Sequence, residues 1–199
     1  LPNKITISRI FLSPIVGYAI YLNMKDTALI GCLLGSFTDW LDGYIAKNYN
    51  QKSIWGGILD PVADKVFVGS IAAGLTLKGL FPMELFMITI GRDVILIGSG
   101  LIIRAIEKDK DSPFFDAQSA TFEIVPTNLS KANTALQFIL LATTLSHFYT
   151  SGTTPPIEFI QPLWYLTGLT TIASGLQYVT GVGLKKVYTP KKMKRFTWD

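Results

Sequence analysis

Ala28-Leu29-Ile30-Gly31-Cys32-Leu33-Leu34-Gly35-Ser36-Phe37 is apolar all round. A surface helix of a soluble bundle would show a polar face at a period of 3.6 residues, and this stretch shows none. Ile95–Ile103 reads the same way. Working outward, six apolar stretches approach or reach the length of about 20 helical residues that crosses a bilayer. They run Ile5–Leu22, Thr27–Ala46, Leu59–Leu77, Leu85–Arg104, Leu129–Phe148 and Ile157–Thr180. Turn and polar residues separate them, as at Asn23-Met24-Lys25-Asp26 and Lys78-Gly79-Leu80-Phe81-Pro82. The expected fold class is therefore all-α, an integral membrane bundle of six transmembrane helices. Residues 1–199 form one domain, with a polybasic tail from about residue 184. The long connection Ile106–Asn128, which carries Phe114, Phe115 and Phe122, is expected to be an ordered interfacial segment.

Composition agrees. Of 199 residues, 49% are hydrophobic and 16% charged, against about 25% charged in an average soluble domain. Mean hydropathy is +0.36. Disorder, collagen and a charged coiled coil are excluded. A single cysteine, Cys32, excludes a disulfide framework and a cysteine metal site, and a single histidine, His147, excludes a His-rich one. Any metal would be held mainly by oxygen, which favours Mg, Mn or Ca. The 18 Lys and Arg against 14 Asp and Glu give a net charge of +4. In so apolar a chain this points to anionic lipid and not to nucleic acid. Six spans put both termini on one side. Of the 18 basic residues, fifteen fall on that side, two (Lys25 and Lys78) on the other, and Arg92 within a span. The bias predicts that side to be cytoplasmic, or the matrix side in a mitochondrion. The sequence opens at Leu1 and not Met, so a preceding targeting segment is an expectation only.

Carboxylates stand where lipid should be. Asp39 and Asp42 close the second span, Asp60 and Asp64 open the third, and Arg92-Asp93 interrupts the fourth. Asp39 and Asp42 are three residues apart and Asp60 and Asp64 four, so each pair shares a helix face. Gly43 and Ala46 leave room for a ligand against the backbone. The short connection makes the two spans antiparallel neighbours, so the pairs converge. Four converging carboxylates stay ionised only around cations. Two divalent ions bridged by carboxylates form a clamp for phosphoryl oxygens. Any one of these residues alone is as readily a solvated or capping group, Asp60-Pro61 reading as an N-cap with proline at N1.

The run Asp-x-x-Asp-Gly-x-x-Ala, then x9, then Gly-x3-Asp-x3-Asp, resembles the signature of the CDP-alcohol phosphotransferases. Asp39, Asp42, Gly43, Ala46, Gly56, Asp60 and Asp64 keep every spacing. Lys47 stands where that family usually has Arg, keeping the charge but losing the bidentate fork for phosphate. Pro2-Asn3 with Thr6 and Arg9 resembles the family's amino-terminal motif at the nucleotide end of the cavity. Gly91-Arg92-Asp93-Val94 and Pro126–Gln137 resemble the eukaryotic-type, CMP-forming cardiolipin synthases.

The resemblance implies a displacement at phosphorus, in which an alcohol attacks the phosphatidyl phosphorus of CDP-diacylglycerol and CMP leaves. It implies Asp39, Asp42, Asp60 and Asp64 as ligands of two Mg2+ or Mn2+ ions, with Asp64 also the general base. It implies Asn3, Thr6, Gly43, Ala46, Lys47, Ser53 and Gly56 as binders of CDP-diacylglycerol. Arg92 and Lys131 are candidate binders of the acceptor's phosphate, with an internal pair to Asp93 or another carboxylate the plainer reading of Arg92 and snorkelling that of Lys131. The acceptor implied is phosphatidylglycerol and the product cardiolipin; the sister enzyme uses glycerol 3-phosphate instead. A homodimer in the mitochondrial inner membrane, its site facing the matrix, is expected, with a bacterial or plastid membrane as the alternative. Two rivals stand beside it. An intramembrane prenyltransferase also uses Asp-rich magnesium sites, and a cation transporter would bind metal without releasing CMP.

Overall fold

The computed structural model describes residues 2–48, 56–106, 122–124, 127–180 and 184–186. They form six α-helices: α1 Pro2–Tyr21, α2 Lys25–Asn48, α3 Gly56–Leu77, α4 Met83–Ile106, α5 Asn128–Tyr149 and α6 Ile157–Val179. Each apolar stretch of the sequence becomes one helix, of 20 to 24 residues. At 1.5 Å per residue these are about 30–36 Å long.

Helices α1, α3 and α5 end alike. A residue in the left-handed region follows each: Asn23 (φ 63°), Gly79 (φ 78°) and Ser151 (φ 57°). The next amide reaches back five residues, Met24 to the Ala19 carbonyl (2.9 Å), Leu80 to Leu75 (3.0 Å) and Gly152 to His147 (2.8 Å). This closure satisfies carbonyls the helix end would otherwise leave open. Only at Gly79 does glycine meet the conformation without a steric penalty. At the start of α5, Thr127 Oγ1 accepts from the Ser130 amide, a conventional N-cap.

The helices group in two halves. In one, α1 packs on α3 and α2; in the other, α6 packs on α5 and α4. Contact between α1 and α3 is backbone to backbone. A Cβ on Gly17 would sit 2.4 Å from the Ser70 carbonyl oxygen, and one on Gly74 2.4 Å from that of Gly17. An apolar core of Val16, Ile20, Phe67, Ile71, Leu75, Leu140 and Ile160 runs between the halves.

Two features depart from the expected fold. Phe122–Ile124 (β1) pairs antiparallel with Leu184–Lys186 (β2), with Glu123 opposite Lys185. Thus the first residues of the expected polybasic tail are strand, and they tie it to the α4–α5 connection. The second concerns polarity. Among the described residues no helix is long and apolar enough to cross a membrane. Charged and amide side chains lower the apolarity of the helices; Arg9, Arg92, Asp93, Asn133 and Gln137 are buried among them, while Asp39, Glu84 and Lys131 are exposed. The outward faces carry Ile7, Phe11, Ile15 and Tyr18 on α1, Ile30, Leu33, Leu34 and Phe37 on α2, and Leu166, Leu169, Ile172 and Leu176 on α6.

Candidate active site

Helix α1, which packs on both α2 and α3, sets the site by holding those two helices around one space. Gly35 faces the Phe67 ring so closely that a Cβ there would lie 2.2 Å from it. One turn further along α2 comes Asp39, and one turn earlier along α3 comes Asp64. Both line a cavity of about 300 Å³. Arg9 of α1 and Ser36 complete its polar end, and Phe67, Ile71, Phe138 and Leu145 form its apolar wall. A charged end joined to an apolar trough suits an amphiphile.

Within the cavity, Arg9 Nη1 donates to Asp39 Oδ1 at 2.5 Å. The pair is lopsided: the Arg9 side chain is 1% exposed and that of Asp39 57%. One carboxylate edge is therefore tied to a buried guanidinium and the rest is open. Asp64 is half-buried on the opposite wall.

A second charged group lies behind Asp64. Its neighbour Lys65 places Nζ 2.7 Å from Asp93 Oδ2, while Arg92 Nη1 lies 2.8 Å from Asp93 Oδ1. Arg92 Nη2 also donates to the hydroxyls of Ser130 on α5 and Ser174 on α6. One guanidinium thus joins three helices. Sequence reading offered Arg92 and Lys131 as acceptor-phosphate binders. Arg92 is buried among these internal partners and Lys131 is exposed, and neither lines the Asp39–Asp64 cavity. Thr6, offered for the lipid donor, is fully buried on α1. Of the other proposed residues, the side chains of Asn3, Asp42, Gly43, Ala46, Lys47, Gly56 and Asp60, and all of Ser53, lie outside the described residues.

The internal Arg92–Asp93 pair was one of the readings the sequence offered; three features escaped it: the Arg9–Asp39 pair, the tie of Lys65 to Asp93 and a polar seam along α5 and α6. In that seam the Thr170 and Thr171 hydroxyls lie 2.8 and 2.9 Å from Asn133 Oδ1. Each had one visible signal, a charged or amide residue alone in an apolar run, which needs a partner.

Among the described residues no group of three or more His, Cys, Asp or Glu side chains is placed to hold a metal ion. The described donors nonetheless fit a hard cation. Asp39 already holds a cation in the form of the Arg9 guanidinium, and the second carboxylate on the cavity is also an oxygen donor.

A sequence model of the family described as CDP-alcohol phosphatidyltransferase matches residues 1–177. The chain belongs to this family. Among its relatives, the "Probable cardiolipin synthase (CMP-forming)" of Drosophila melanogaster is 40% identical over 183 residues, covering 90% of this chain and 56% of that protein. The cardiolipin synthase (CMP-forming) of Homo sapiens is 37% identical over 189 residues, covering 89% of this chain and 60% of its own. A chloroplastic CDP-diacylglycerol–glycerol-3-phosphate 3-phosphatidyltransferase of Oryza sativa subsp. japonica is 33% identical over 183 residues, 89% of this chain and 55% of that one. The chain spans little more than half the length of these three relatives.

Proposed function

We propose that the chain transfers a phosphatidyl group from CDP-diacylglycerol to phosphatidylglycerol, giving cardiolipin and CMP. The observation that carries this reading is the cavity itself. Two carboxylates from adjacent helices face one space, a buried guanidinium stands beside them, and an apolar wall continues from them. The relatives named as CMP-forming cardiolipin synthases support cardiolipin as the product, and phosphatidylglycerol is the acceptor that the resemblance implies.

In this reading Asp39, Asp42, Asp60 and Asp64 hold two divalent ions, Mg2+ or Mn2+. The ions supply neutralisation of the diphosphate and stabilise the departing phosphate oxygen. Asp64 takes the proton of the acceptor hydroxyl, which is too weak a nucleophile at neutral pH without a base. The acceptor oxygen then forms its bond to the phosphatidyl phosphorus as the bond to CMP breaks. Asn3, Thr6, Gly43, Ala46, Lys47, Ser53 and Gly56 bind the donor, and Phe67, Ile71 and Leu145 take up apolar surface beside it. Arg92 holds Asp93, and through it Lys65, in register with Asp64; Lys131 is kept as the candidate for the acceptor's phosphate.

The same reading places the six helices in a bilayer. Its support is the polarity of the helix faces: Arg9, Arg92, Asp93, Asn133 and Gln137 are inside, with Phe11, Phe37, Leu169 and their neighbours outside. A soluble protein seldom leaves apolar stripes of that extent uncovered. The Lys and Arg bias supports a site facing the matrix of a mitochondrion, in the inner membrane. A homodimer belongs to the same proposal.

The test is CMP release by purified protein in detergent with Mg2+ or Mn2+ and CDP-diacylglycerol. Phosphatidylglycerol and glycerol 3-phosphate are supplied in separate reactions. Release with phosphatidylglycerol alone is the expected result. Release with glycerol 3-phosphate alone would assign the chain to the sister activity, and release with neither would remove the family's chemistry from it.

A further inference from the structure

Helical threonines of this protein commonly turn their hydroxyls back on their own backbone. Those of Thr76, Thr134, Thr144 and Thr171 each donate to the carbonyl four residues earlier, at 2.7, 3.0, 2.7 and 2.7 Å. Thr89 on α4 and Thr167 on α6 do not. Their hydroxyl oxygens are buried and have no hydrogen-bond partner among the described residues. A buried hydroxyl left unbonded is costly, and a bond to the preceding turn is within reach of any helical threonine. Both residues line one cavity, of about 20 Å³, between α3, α4, α5 and α6. Its other polar residues are Lys65, Asp93 and Gln137, and Phe81, Phe86 and Leu140 form much of the remaining wall.

We propose that this cavity is a binding site for one internal water molecule, held by Thr89, Thr167, Gln137 and Asp93, and that the water joins α6 to the Lys65–Asp93 pair. The size fits. A water needs about 10–15 Å³ and two to four polar partners. The chemistry fits as well. The Thr89 and Thr167 hydroxyls donate to the water's two lone pairs, and its two hydrogens go to Gln137 Oε1 and an Asp93 oxygen. Both acceptors have the capacity. Gln137 turns its amide nitrogen to Thr171, at 3.5 Å, which leaves Oε1 for the water. Each Asp93 oxygen takes one bond, from Lys65 or Arg92, and keeps a second lone pair. A cation would stand beside Lys65 and an anion beside Asp93, so a neutral molecule suits the charges, and the volume admits nothing larger than water. An apolar occupant would leave both hydroxyls unbonded. The site is separate from the proposed reaction. Val68 and Leu141 line both this cavity and the one that holds Asp39 and Asp64, so a layer of side chains divides the two.

Two measurements test this on the full chain in detergent. The first needs no variant. X-ray radiolysis turns water into hydroxyl radicals, which oxidise the side chains beside it, and mass spectrometry reads the oxidised residues. Phe81 is 6% exposed and lines the cavity, while Phe148 is 4% exposed and is outside its lining. Phe81 should be oxidised severalfold more than Phe148, although both are shielded from bulk solvent to the same degree. Equal labelling would mean a dry cavity and overturn the proposal. The second is thermal unfolding of Thr89→Val, Thr167→Val and the double variant, and here the sign decides. Valine keeps the shape of threonine. If the cavity is dry, it removes a stranded hydroxyl and Tm stays level or rises. If the cavity holds water, each variant takes away one of the water's bonds and lowers Tm by about 2–6 °C. The double variant should then lose less than the sum of the two, because both act through the same water, and the excess oxidation of Phe81 should disappear with it. A Tm at or above that of the wild type in either single variant would overturn the proposal.

Discussion

Asp93→Asn should destabilise the protein more than any single surface change, and the size of the effect follows from its neighbours. Asp93 is buried, with one oxygen 2.7 Å from Lys65 Nζ and the other 2.8 Å from Arg92 Nη1. Asparagine keeps the shape, removes the charge and turns an amide N–H toward a cation. Stranding a buried charge in this way costs about 3–5 kcal/mol. The two cations are not equally trapped, however. The Lys65 side chain is 31% exposed and can turn to water, while that of Arg92 is 7% exposed and cannot. The loss should therefore sit near the lower end, about 3 kcal/mol. For a chain of this length that is about 6–12 °C in Tm. The assay is thermal unfolding in detergent, followed by a thiol-reactive dye at Cys32, which is buried in the folded protein. Arg92→Gln combined with Asp93→Asn should cost less than the sum of the two single changes, because neither partner is then left stranded. A Tm for Asp93→Asn within about 2 °C of wild type, or strictly additive effects in the double variant, would refute the charge argument.

Other outcomes follow from the same geometry. Asp64→Asn should lower CMP release by about 10²-fold or more with the protein still folded, as expected for loss of a general base; full CMP release would remove Asp64 from the chemistry. Gly74→Val should cost at least about 1–3 kcal/mol, because its side chain would meet the Gly17 carbonyl and not a flexible side chain; thermal unfolding reads it. Gly79→Val should cost about 1–2 kcal/mol through backbone conformation alone, since nothing lies near its Cβ position. Its CMP release at low temperature should match wild type, because the turn is remote in sequence from the carboxylates.

What the sequence made legible was whatever repeats over a short distance. Ile5–Leu22 and its five counterparts are long apolar runs, and each became a helix within a few residues of its expected ends. Asp39 and Asp64 were readable as a pair because they stand at the facing ends of two consecutive apolar runs; that α1 packs on both helices and holds them around one cavity was not readable. The Arg9–Asp39 contact spans 30 residues and carries no local pattern. Arg9 showed only that an isolated charge in an apolar run wants a partner, not which one. The ribbon was illegible for a different reason. Leu184-Lys185-Lys186 has no alternation of its own, and its pairing with Phe122–Ile124 depends on where α4 and α6 end.

The seam between α5 and α6 shows why hydropathy reports position better than packing. In water, burying Asn133, Gln137, Thr171 and Ser174 together would be a poor way to join two helices, since each gives up hydration for a bond of similar strength. In the proposed bilayer the comparison changes. Lipid chains are as apolar as leucine, so burying more leucine gains little, and polar contacts between helices hold them instead. Asn133 accepting from Thr170 and Thr171, Thr127 bonding Gln177 at 2.9 Å, and Arg92 joining Ser130 to Ser174 supply such contacts at successive levels. The chain of contact then runs from this seam through Arg92 and Asp93 to Lys65, beside Asp64. The half without the candidate carboxylates is thereby tied to the half that carries them, through buried polar residues that an apolar bundle would otherwise have no reason to keep.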